Sequence, residues 1–195
     1  MEKIVNIKAG NFYTIGIALS IIAIVFSFLR IGEIYEVISE FGADTRTALI
    51  YNILIFFSGI FITLGSVFLC RKHFKVFGVI PSILLLATST SLIFLGLFPL
   101  GISQQIRVVH WTFAAIFFFG FAICMVAFAL IFRRIRSNIA LILLIFGIAD
   151  VLQLLLLYPN QMKLISQTIS IILSIAFLYI LVIFSPQLPQ ISSEY

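Results

Sequence analysis

A few polar side chains lie within or beside long apolar runs, and they are the residues whose types allow chemistry in this chain. Asp150 is the acidic residue inside the apolar stretch 139–157, and Gln153 follows it by about one helical turn. A carboxylate within hydrocarbon costs several kcal/mol unless it is neutral, paired or hydrated. Asp150 therefore marks either a proton-titrating or polar-ligand site, or a hydrogen-bond anchor between helices. The sequence favours the anchor.

Arg107 and His110 are candidate partners for Asp150 on another span. They lie three residues apart, so a helix places them on one face at the start of the apolar run 108–132. The alternative is that Arg107 extends to lipid phosphate while His110 lies at the membrane interface. Asn52, in the run 48–69, joins these residues as a candidate because its amide has four hydrogen-bonding positions to satisfy.

No metal or cofactor site is expected from the histidines and cysteines. The two histidines, His73 and His110, fall on opposite sides of the predicted membrane topology, and no HxxxH spacing occurs. The two cysteines form no CxxC pair. Four carboxylates between the first two apolar runs offer calcium ligands, but a solvated face explains them better. These carboxylates are Glu33, Glu36, Glu40 and Asp44.

The composition identifies the elements that position these residues as membrane helices. Of 195 residues, 63% are apolar and 10% are charged, and the mean hydropathy is +1.26. An ordinary soluble domain is about 45–50% apolar and about 25% charged. The sequence therefore excludes a soluble enzyme, a disulfide-stapled secreted module and a disordered tail. The net charge of +5 comes from short basic clusters between apolar runs, which indicates membrane topology signals rather than nucleic-acid binding.

Six stretches are long enough to cross a hydrocarbon layer of about 30 Å. They are continuous rather than alternating, so they predict helices and not barrel strands. The expected fold is an all-α, polytopic helical bundle that forms a single transmembrane domain over residues 1–195. The spans are predicted at residues 12–29, 48–69, 76–98, 108–132, 139–157 and 164–184.

The basic residues divide unequally between the two sides of this topology. One side has eight and the other has four, so the positive-inside rule predicts a cell-membrane protein with both termini in the cytoplasm. Two groups among the eight are expected to face anionic lipid, one at residues 71–75 and the other at residues 133–136. His73 is expected to be solvated within the first group. The eight are Lys3, Lys8, Arg71, Lys72, Lys75, Arg133, Arg134 and Arg136, and the four are Arg30, Arg46, Arg107 and Lys163.

The longest predicted loop has an amphipathic pattern. Ile34, Val37, Ile38 and Phe41 share one helical face, and the four carboxylates named above fall on another. Gly42 is a natural helix end. The pattern predicts a short interfacial helix over residues 33–41, lying on the outer membrane surface.

Several of these residues form a recurring pattern. The stretch ISEFGA at 38–43, the stretch ALIYN at 48–52, Gly59, and GLFP at 96–99 followed by His110 resemble domain of unknown function family 998. That family consists of prokaryotic, often archaeal, six-helix membrane proteins. Phe41 stands where the family usually has a small apolar residue. A more distant similarity is to the autophagy-modulator and Sfk-type six-helix proteins.

The resemblance implies six helices, cytoplasmic termini and a common core that includes Asn52, Pro99 and His110. It implies no activity or substrate. The leading hypothesis is a non-enzymatic structural or accessory component of a membrane complex, in contact with lipids and other membrane subunits. The first alternative is a transporter or lipid- or small-solute-binding protein with a polar site in the outer half. The second is a lipid-modifying enzyme that uses His110 and Asp150 as acid and base.

Overall fold

The computed structural model describes residues 2–32, 35–100, 103–157 and 162–184, and in this part of the chain the regular structure is helical throughout. Six helices are long and apolar enough to cross a membrane. The chain is therefore an all-helical, multi-pass membrane protein. The helices are α1 Glu2–Ile31, α2 Ala48–Phe77, α3 Val79–Leu97, α4 Gln104–Phe132, α5 Ser137–Leu156 and α6 Lys163–Phe184.

Consecutive helices run up and down and pack as neighbours. The helix α6 closes the bundle, because it contacts α5, α1 and α4. This arrangement gives the bundle two distinct ends. At one end α2, α4 and α6 begin, and we call it the covered end. At the other end α2 and α4 finish among basic residues, and we call it the basic end.

Local sequence explains the tightest junctions. Gly78 joins α2 to α3 with a φ of +74°, a conformation that glycine adopts without steric cost. Pro99 follows α3 and excludes helical backbone at Phe98, which has φ −115° and ψ 75°. The side chain of Ser103 caps α4 by accepting a hydrogen bond from the Ile106 N–H at 3.3 Å.

The connection between α1 and α2 folds back onto the covered end, and we call residues 35–47 the covering segment. It contains a 3₁₀ helix at Ile38–Gly42. The predicted amphipathic helix over residues 33–41 is therefore shorter and of a tighter type, and Tyr35, Glu36 and Val37 precede it without helical structure. Glu33 and Ile34 lie outside the described residues. Val37, Ile38 and Phe41 are buried, so the apolar face packs against the bundle.

Small residues and hydroxyls fill the helix contacts. Tyr13 on α1 bonds Ser66 on α2 at 3.1 Å, and Ser66 bonds Ser89 on α3 at 2.7 Å. This chain of hydroxyls satisfies polar groups inside an apolar bundle. Aromatic rings pack nearer the basic end, where Phe128 contacts Phe77 at 4.7 Å and Phe177 at 5.6 Å between ring centroids.

Candidate functional site

An elongated cavity lies within the covered half of the bundle, between α1, α2, α3, α4 and α6 and beneath the covering segment. Its volume is about 90 Å³. Its lining residues on α4 run from His110 to Phe121 and those on α6 from Gln167 to Leu178, so they extend over roughly 16 Å along each helix. Most of them are Ile, Leu, Phe and Ala. Such walls hold water poorly and favour an apolar occupant.

Polar side chains concentrate at the end of the cavity nearest the covering segment. The lining there includes Ser39 from the 3₁₀ helix, His110 from the start of α4 and Gln167 from the start of α6. Further along α6, Ser174 lines the cavity with a buried Oγ that has no hydrogen-bond partner among the described residues. The cavity is therefore polar at one end and mainly apolar along its length.

The ring of His110 is oriented by one backbone contact. Its Nδ1 lies 2.7 Å from the carbonyl oxygen of Phe98, so Nδ1 carries the proton that it donates. Its Nε2 is buried and has no partner in the described part of the chain. In a neutral imidazole with the proton on Nδ1, Nε2 is an acceptor. His110 therefore offers a hydrogen-bond acceptor at the polar end of the cavity.

The covering segment is tied to α6 by two contacts. The N–H of Ile38 donates to Gln167 Oε1 at 2.8 Å, across 129 residues of sequence. Lys163 Nζ lies 3.1 Å from Glu36 Oε2 in a surface ion pair. The buried backbone bond fixes the position of the segment, whereas the exposed ion pair contributes little.

Asn52 ties the same segment to α2, and Thr47, the last residue of the segment, holds it internally. Asn52 Nδ2 donates to the carbonyl oxygen of Gly42 at 2.9 Å, and Thr47 Oγ1 donates to that of Phe41 at 2.8 Å. A Cβ on Gly42 would lie 2.5 Å from Asn52 Oδ1, so this contact requires glycine. Asn52, a candidate site residue in the sequence, thus lies beside the covering segment and holds it, and it is not among the cavity lining.

Asp44 and Arg46 form a charged turn at the surface of the covering segment. Arg46 Nη2 and Nε donate to the Asp44 carboxylate at 2.7 and 3.0 Å, and the Tyr35 hydroxyl also donates to it. The hydrogen bonds from Arg46, followed by that from Tyr35, hold the pKa of Asp44 below its usual range. These hydrogen bonds satisfy the Asp44 carboxylate, and the charge of Arg46 balances it, so no metal ion is needed to explain its position.

A second polar cluster lies between α5 and α6. Ser170 Oγ donates to Asp150 Oδ1 at 2.5 Å, and Gln153 Nε2 donates to the same oxygen at 2.8 Å and to Ser170 Oγ at 2.6 Å. Asp150 is completely buried. Asp150 and Gln153 are hydrogen-bonded to each other, as their spacing of one helical turn allows. Both also bond Ser170 on α6.

Asp150 was expected to pair with Arg107 or His110 on the fourth span. Its hydrogen bonds come from Gln153 and Ser170 instead, so this expectation is wrong. His110 bonds Phe98 instead, and Arg107 is exposed in the first turn of α4. Asp150 does not line the cavity to which His110 contributes. An acid–base pair of His110 and Asp150 therefore finds no support in this geometry. Within the described residues, no group of three His, Cys, Asp or Glu side chains is arranged to hold a metal ion.

The two groups of cations predicted to face lipid lie at the ends of α2 and α4. Arg71 and Lys75 are exposed and Lys72 is half-buried, while Arg133, Arg134 and Arg136 are exposed. The guanidinium of Arg136 lies over the ring of Phe184 at 5.8 Å. His73 differs from its expected solvated position, because it is 7% exposed and its ring contacts Phe77. A local departure from helical backbone at His73 accompanies this burial.

Sequence patterns alone do not single out Gln167, Ser170 or Ser174. Their signal is a polar stripe on α6, where Ser166, Ser170 and Ser174 recur every four residues in an otherwise apolar helix. All three serines are buried, so the stripe faces into the protein.

The motif residues of the sequence are mainly packing positions near the covered end. A Cβ on Gly59 would lie 2.5 Å from the Ile93 backbone nitrogen, and one on Gly96 would lie 2.5 Å from that of Phe56. Together with the Asn52–Gly42 and His110–Phe98 contacts, these glycines set how α2, α3, α4 and the covering segment meet.

Comparison with known proteins agrees with these motifs. Searches of curated proteins and of solved structures found no match. The family model described as "Protein of unknown function (DUF998)" matches residues 14–183. That range includes all six membrane helices at least in part, the covering segment, the cavity lining and the Asp150 cluster. The chain therefore belongs to the DUF998 family of proteins of unknown function.

Proposed function

We propose that this protein binds, within the membrane, an elongated apolar molecule that has a polar group at one end. The observation that carries the proposal is the cavity beneath the covering segment, which is apolar along its length and polar at its covered end. The polar end of an acyl or isoprenoid chain with a terminal hydroxyl matches this distribution of surface. A cavity of about 150 Å³ holds one benzene, so the cavity of about 90 Å³ would take the hydroxyl and the first carbons of the chain. The rest of the chain would lie in the adjoining groove of about 280 Å³. The roughly 16 Å over which α4 and α6 line the cavity corresponds to about half the thickness of the hydrocarbon layer.

The unpartnered atoms of the cavity favour a hydrogen-bond donor on the ligand. His110 Nε2 is an acceptor when Nδ1 donates to Phe98, and it is buried without a partner in the described structure. A buried acceptor without a donor costs about 1–3 kcal/mol. A ligand hydroxyl donating to His110 Nε2 would remove that cost and would orient the chain along the cavity.

A lateral groove offers this ligand a path from the lipid. The groove has a volume of about 280 Å³ and lies between α1 and the start of α6, beside the covering segment. Ile24 and Ile38 line both this groove and the cavity. An apolar molecule would therefore pass from the bilayer to the cavity along apolar surface, with Ile38 at the boundary.

The role of a structural or accessory component of a larger membrane complex is our second proposal. A purely structural bundle has no need of a cavity, and close packing normally removes such space. Ligand binding explains the cavity and its polar end, so we place binding first. Copurification of a membrane subunit in stoichiometric amount, without bound amphiphile, would favour the accessory role.

We also propose a cell-membrane location with the basic end in the cytoplasm. The exposed cations at this end would contact anionic lipid headgroups, each contributing roughly 1 kcal/mol of attraction near the membrane surface. The positive-inside rule supports the same orientation.

A photoactivatable long-chain alcohol tests the binding function directly. The probe carries a diazirine in its alkyl chain and is incubated with the protein in detergent micelles, irradiated and mapped by peptide mass spectrometry. We expect labelling of cavity residues such as Phe117 and Ile171, and we expect excess hexadecanol to suppress it.

The lipid-facing surface provides the internal control. Exposed side chains such as Ile116 and Ile123 contact detergent, so their labelling should not compete with hexadecanol. If the labelling of Phe117 and Ile171 is absent, or if it resists competition as the lipid-facing labelling does, the binding function is contradicted.

A further inference from the structure

We propose that Asp150, Gln153 and Ser170 form a binding site for an alkali-metal cation between α5 and α6. This inference is independent of the proposed ligand-binding function, because Asp150 and Ser170 do not line the cavity. The cluster lies inside the membrane-spanning part of the bundle. Asp150 is six residues before the end of α5, or about 9 Å along the helix.

Asp150 has no cationic partner among its contacts with the described residues. Its hydrogen bonds are those from Gln153 and Ser170 to Oδ1. The ion pairs within the described ranges are Arg46–Asp44 and Lys163–Glu36, and both lie at the surface of the covered end. A buried carboxylate without a countercharge is expensive, so a bound cation would stabilise this one strongly.

The atoms of the cluster that remain without a hydrogen-bond partner among the described residues are oxygens. Asp150 Oδ2 and Gln153 Oε1 are both buried and unpartnered in the described structure, and both are acceptors only. Ser166 Oγ, one turn before Ser170 on the same face of α6, is also buried and unpartnered. Because Ser170 lies opposite both Asp150 and Gln153, the antiparallel register places Ser166 one turn nearer the covered end, opposite residues 154–157. Carboxylate, amide and hydroxyl oxygens that are left without a hydrogen-bond partner are the type of ligand that a hard cation takes.

Charge balance at the cluster favours a monovalent cation. The cluster combines one carboxylate with a neutral amide and neutral hydroxyls, so a monovalent cation gives a neutral site within hydrocarbon. A divalent ion would leave a net positive charge there, and its protein sites usually provide more carboxylates. The chemistry therefore favours Na⁺ or K⁺ over Ca²⁺ or Mg²⁺.

The test is the thermal stability of the purified protein in detergent at constant ionic strength and pH. Melting temperatures are measured in NaCl, in KCl and in choline chloride, because choline is too large for the site. We expect the melting temperature of the wild type to rise with the concentration of Na⁺, of K⁺ or of both, and to remain constant in choline. Equal melting temperatures in all three salts would overturn the proposal. That is also the result expected if Asp150 is protonated or bonded only to water.

Three variants assign the effect to the cluster. Asp150→Asn retains the size of the side chain but removes the charge, so it should abolish the cation-dependent shift. Ser170→Ala removes one ligand with little change in volume, and it should move the shift to higher salt concentration. Glu36→Gln is the matched control, because its carboxylate is 69% exposed in a surface ion pair, and it should respond as the wild type does. A full shift in Asp150→Asn, or its loss in Glu36→Gln, would also overturn the proposal. The long-chain alcohol probe does not enter this experiment, so each proposal can fail without the other.

Discussion

Glycines at contact points determine how closely α2 and α3 approach. Gly59 and Gly96 face backbone atoms of the opposite helix, and these atoms have no rotamer with which to move aside. Small residues at such contacts allow helices in lipid to gain close packing and carbonyl contacts. These close backbone contacts explain why glycines recur in the motif of this sequence.

Gly59→Ala should lower the stability of the bundle by roughly 1–3 kcal/mol, as overpacking does in other cores. The added Cβ would lie 2.5 Å from the Ile93 nitrogen, so α2 and α3 must separate. Thermal melting in detergent measures the effect. Gly10→Ala is the control, since its Cβ would meet a side-chain methyl of Val182 at 3.2 Å. Equal melting temperatures for the two variants would contradict this role of Gly59.

Asp44 predicts a pH dependence at the surface of the covering segment. The hydrogen bonds from Arg46 and Tyr35 lower its pKa in the folded protein. A lowered folded-state pKa adds stability above the unfolded value of about 3.9, and this stability is lost as the pH falls through the folded-state value. The melting temperatures of the wild type and Asp44→Asn should therefore differ at pH 6 and converge as the pH falls below about 4. A constant difference from pH 6 to pH 3 would exclude this mechanism.

Packing and hydrogen bonds to distant parts of the chain determine the structure of the covering segment. Phe41 is 4% exposed and packs between the rings of Tyr35 and Tyr51, with centroids at 5.4 and 6.1 Å. The backbone of the segment donates a hydrogen bond to the side chain of Gln167 and accepts hydrogen bonds from the side chains of Asn52 and Thr47. The segment is thus part of the packed core, and it closes the covered end of the cavity.

Phe41→Ala should destabilise the protein by about 3–5 kcal/mol, because it removes a buried aromatic side chain. Phe57→Ala is the matched control, since Phe57 is 46% exposed on the surface that faces lipid or detergent. Its loss should have a much smaller effect. Chemical or thermal unfolding of both variants gives the comparison. Similar stabilities would indicate that the covering segment contributes nothing to the folded bundle.

The form of the covering segment could be predicted only in part. Its apolar pattern correctly indicates which side is buried, because Val37, Ile38 and Phe41 all face inward. The pattern does not distinguish a regular α-helix from a single tight turn held by tertiary contacts. The N–H of Ile38 bonds Gln167, which lies far away in sequence, and no local periodicity encodes that bond.

At the scale of the whole molecule, hydropathy predicts the six helices because lipid requires every span to satisfy its own backbone. It does not predict where they extend beyond the hydrocarbon, and α2 continues to Phe77 rather than ending near residue 69. It also does not give the rotation of each helix about its axis. Asp150 therefore was predicted to need a polar partner, but Ser170 on α6 was not identified as that partner.

The distribution of Lys and Arg over the whole chain predicts the orientation of the protein in the membrane. After Cys70 and Cys124 are replaced, single cysteines at Lys72 and Arg134 should be protected from an impermeant thiol reagent in intact cells. A cysteine at Glu36 should be labelled, because it lies at the opposite end of the bundle. Labelling of Lys72→Cys and Arg134→Cys with protection of Glu36→Cys would reverse the topology.

Binding of an amphiphile in the cavity is tested by comparing how much amphiphile two neighbouring variants retain on purification. Ala114 is buried and lines the cavity, whereas Ala115 is exposed on the surface of the same helix. Ala114→Phe should fill the cavity, and Ala115→Phe should add an equal volume outside it. Bound amphiphile is extracted and quantified by mass spectrometry per mole of protein. We expect near-stoichiometric amphiphile in the wild type and in Ala115→Phe, and a large loss in Ala114→Phe. Equal amounts in all three proteins, or none in the wild type, would contradict binding in the cavity.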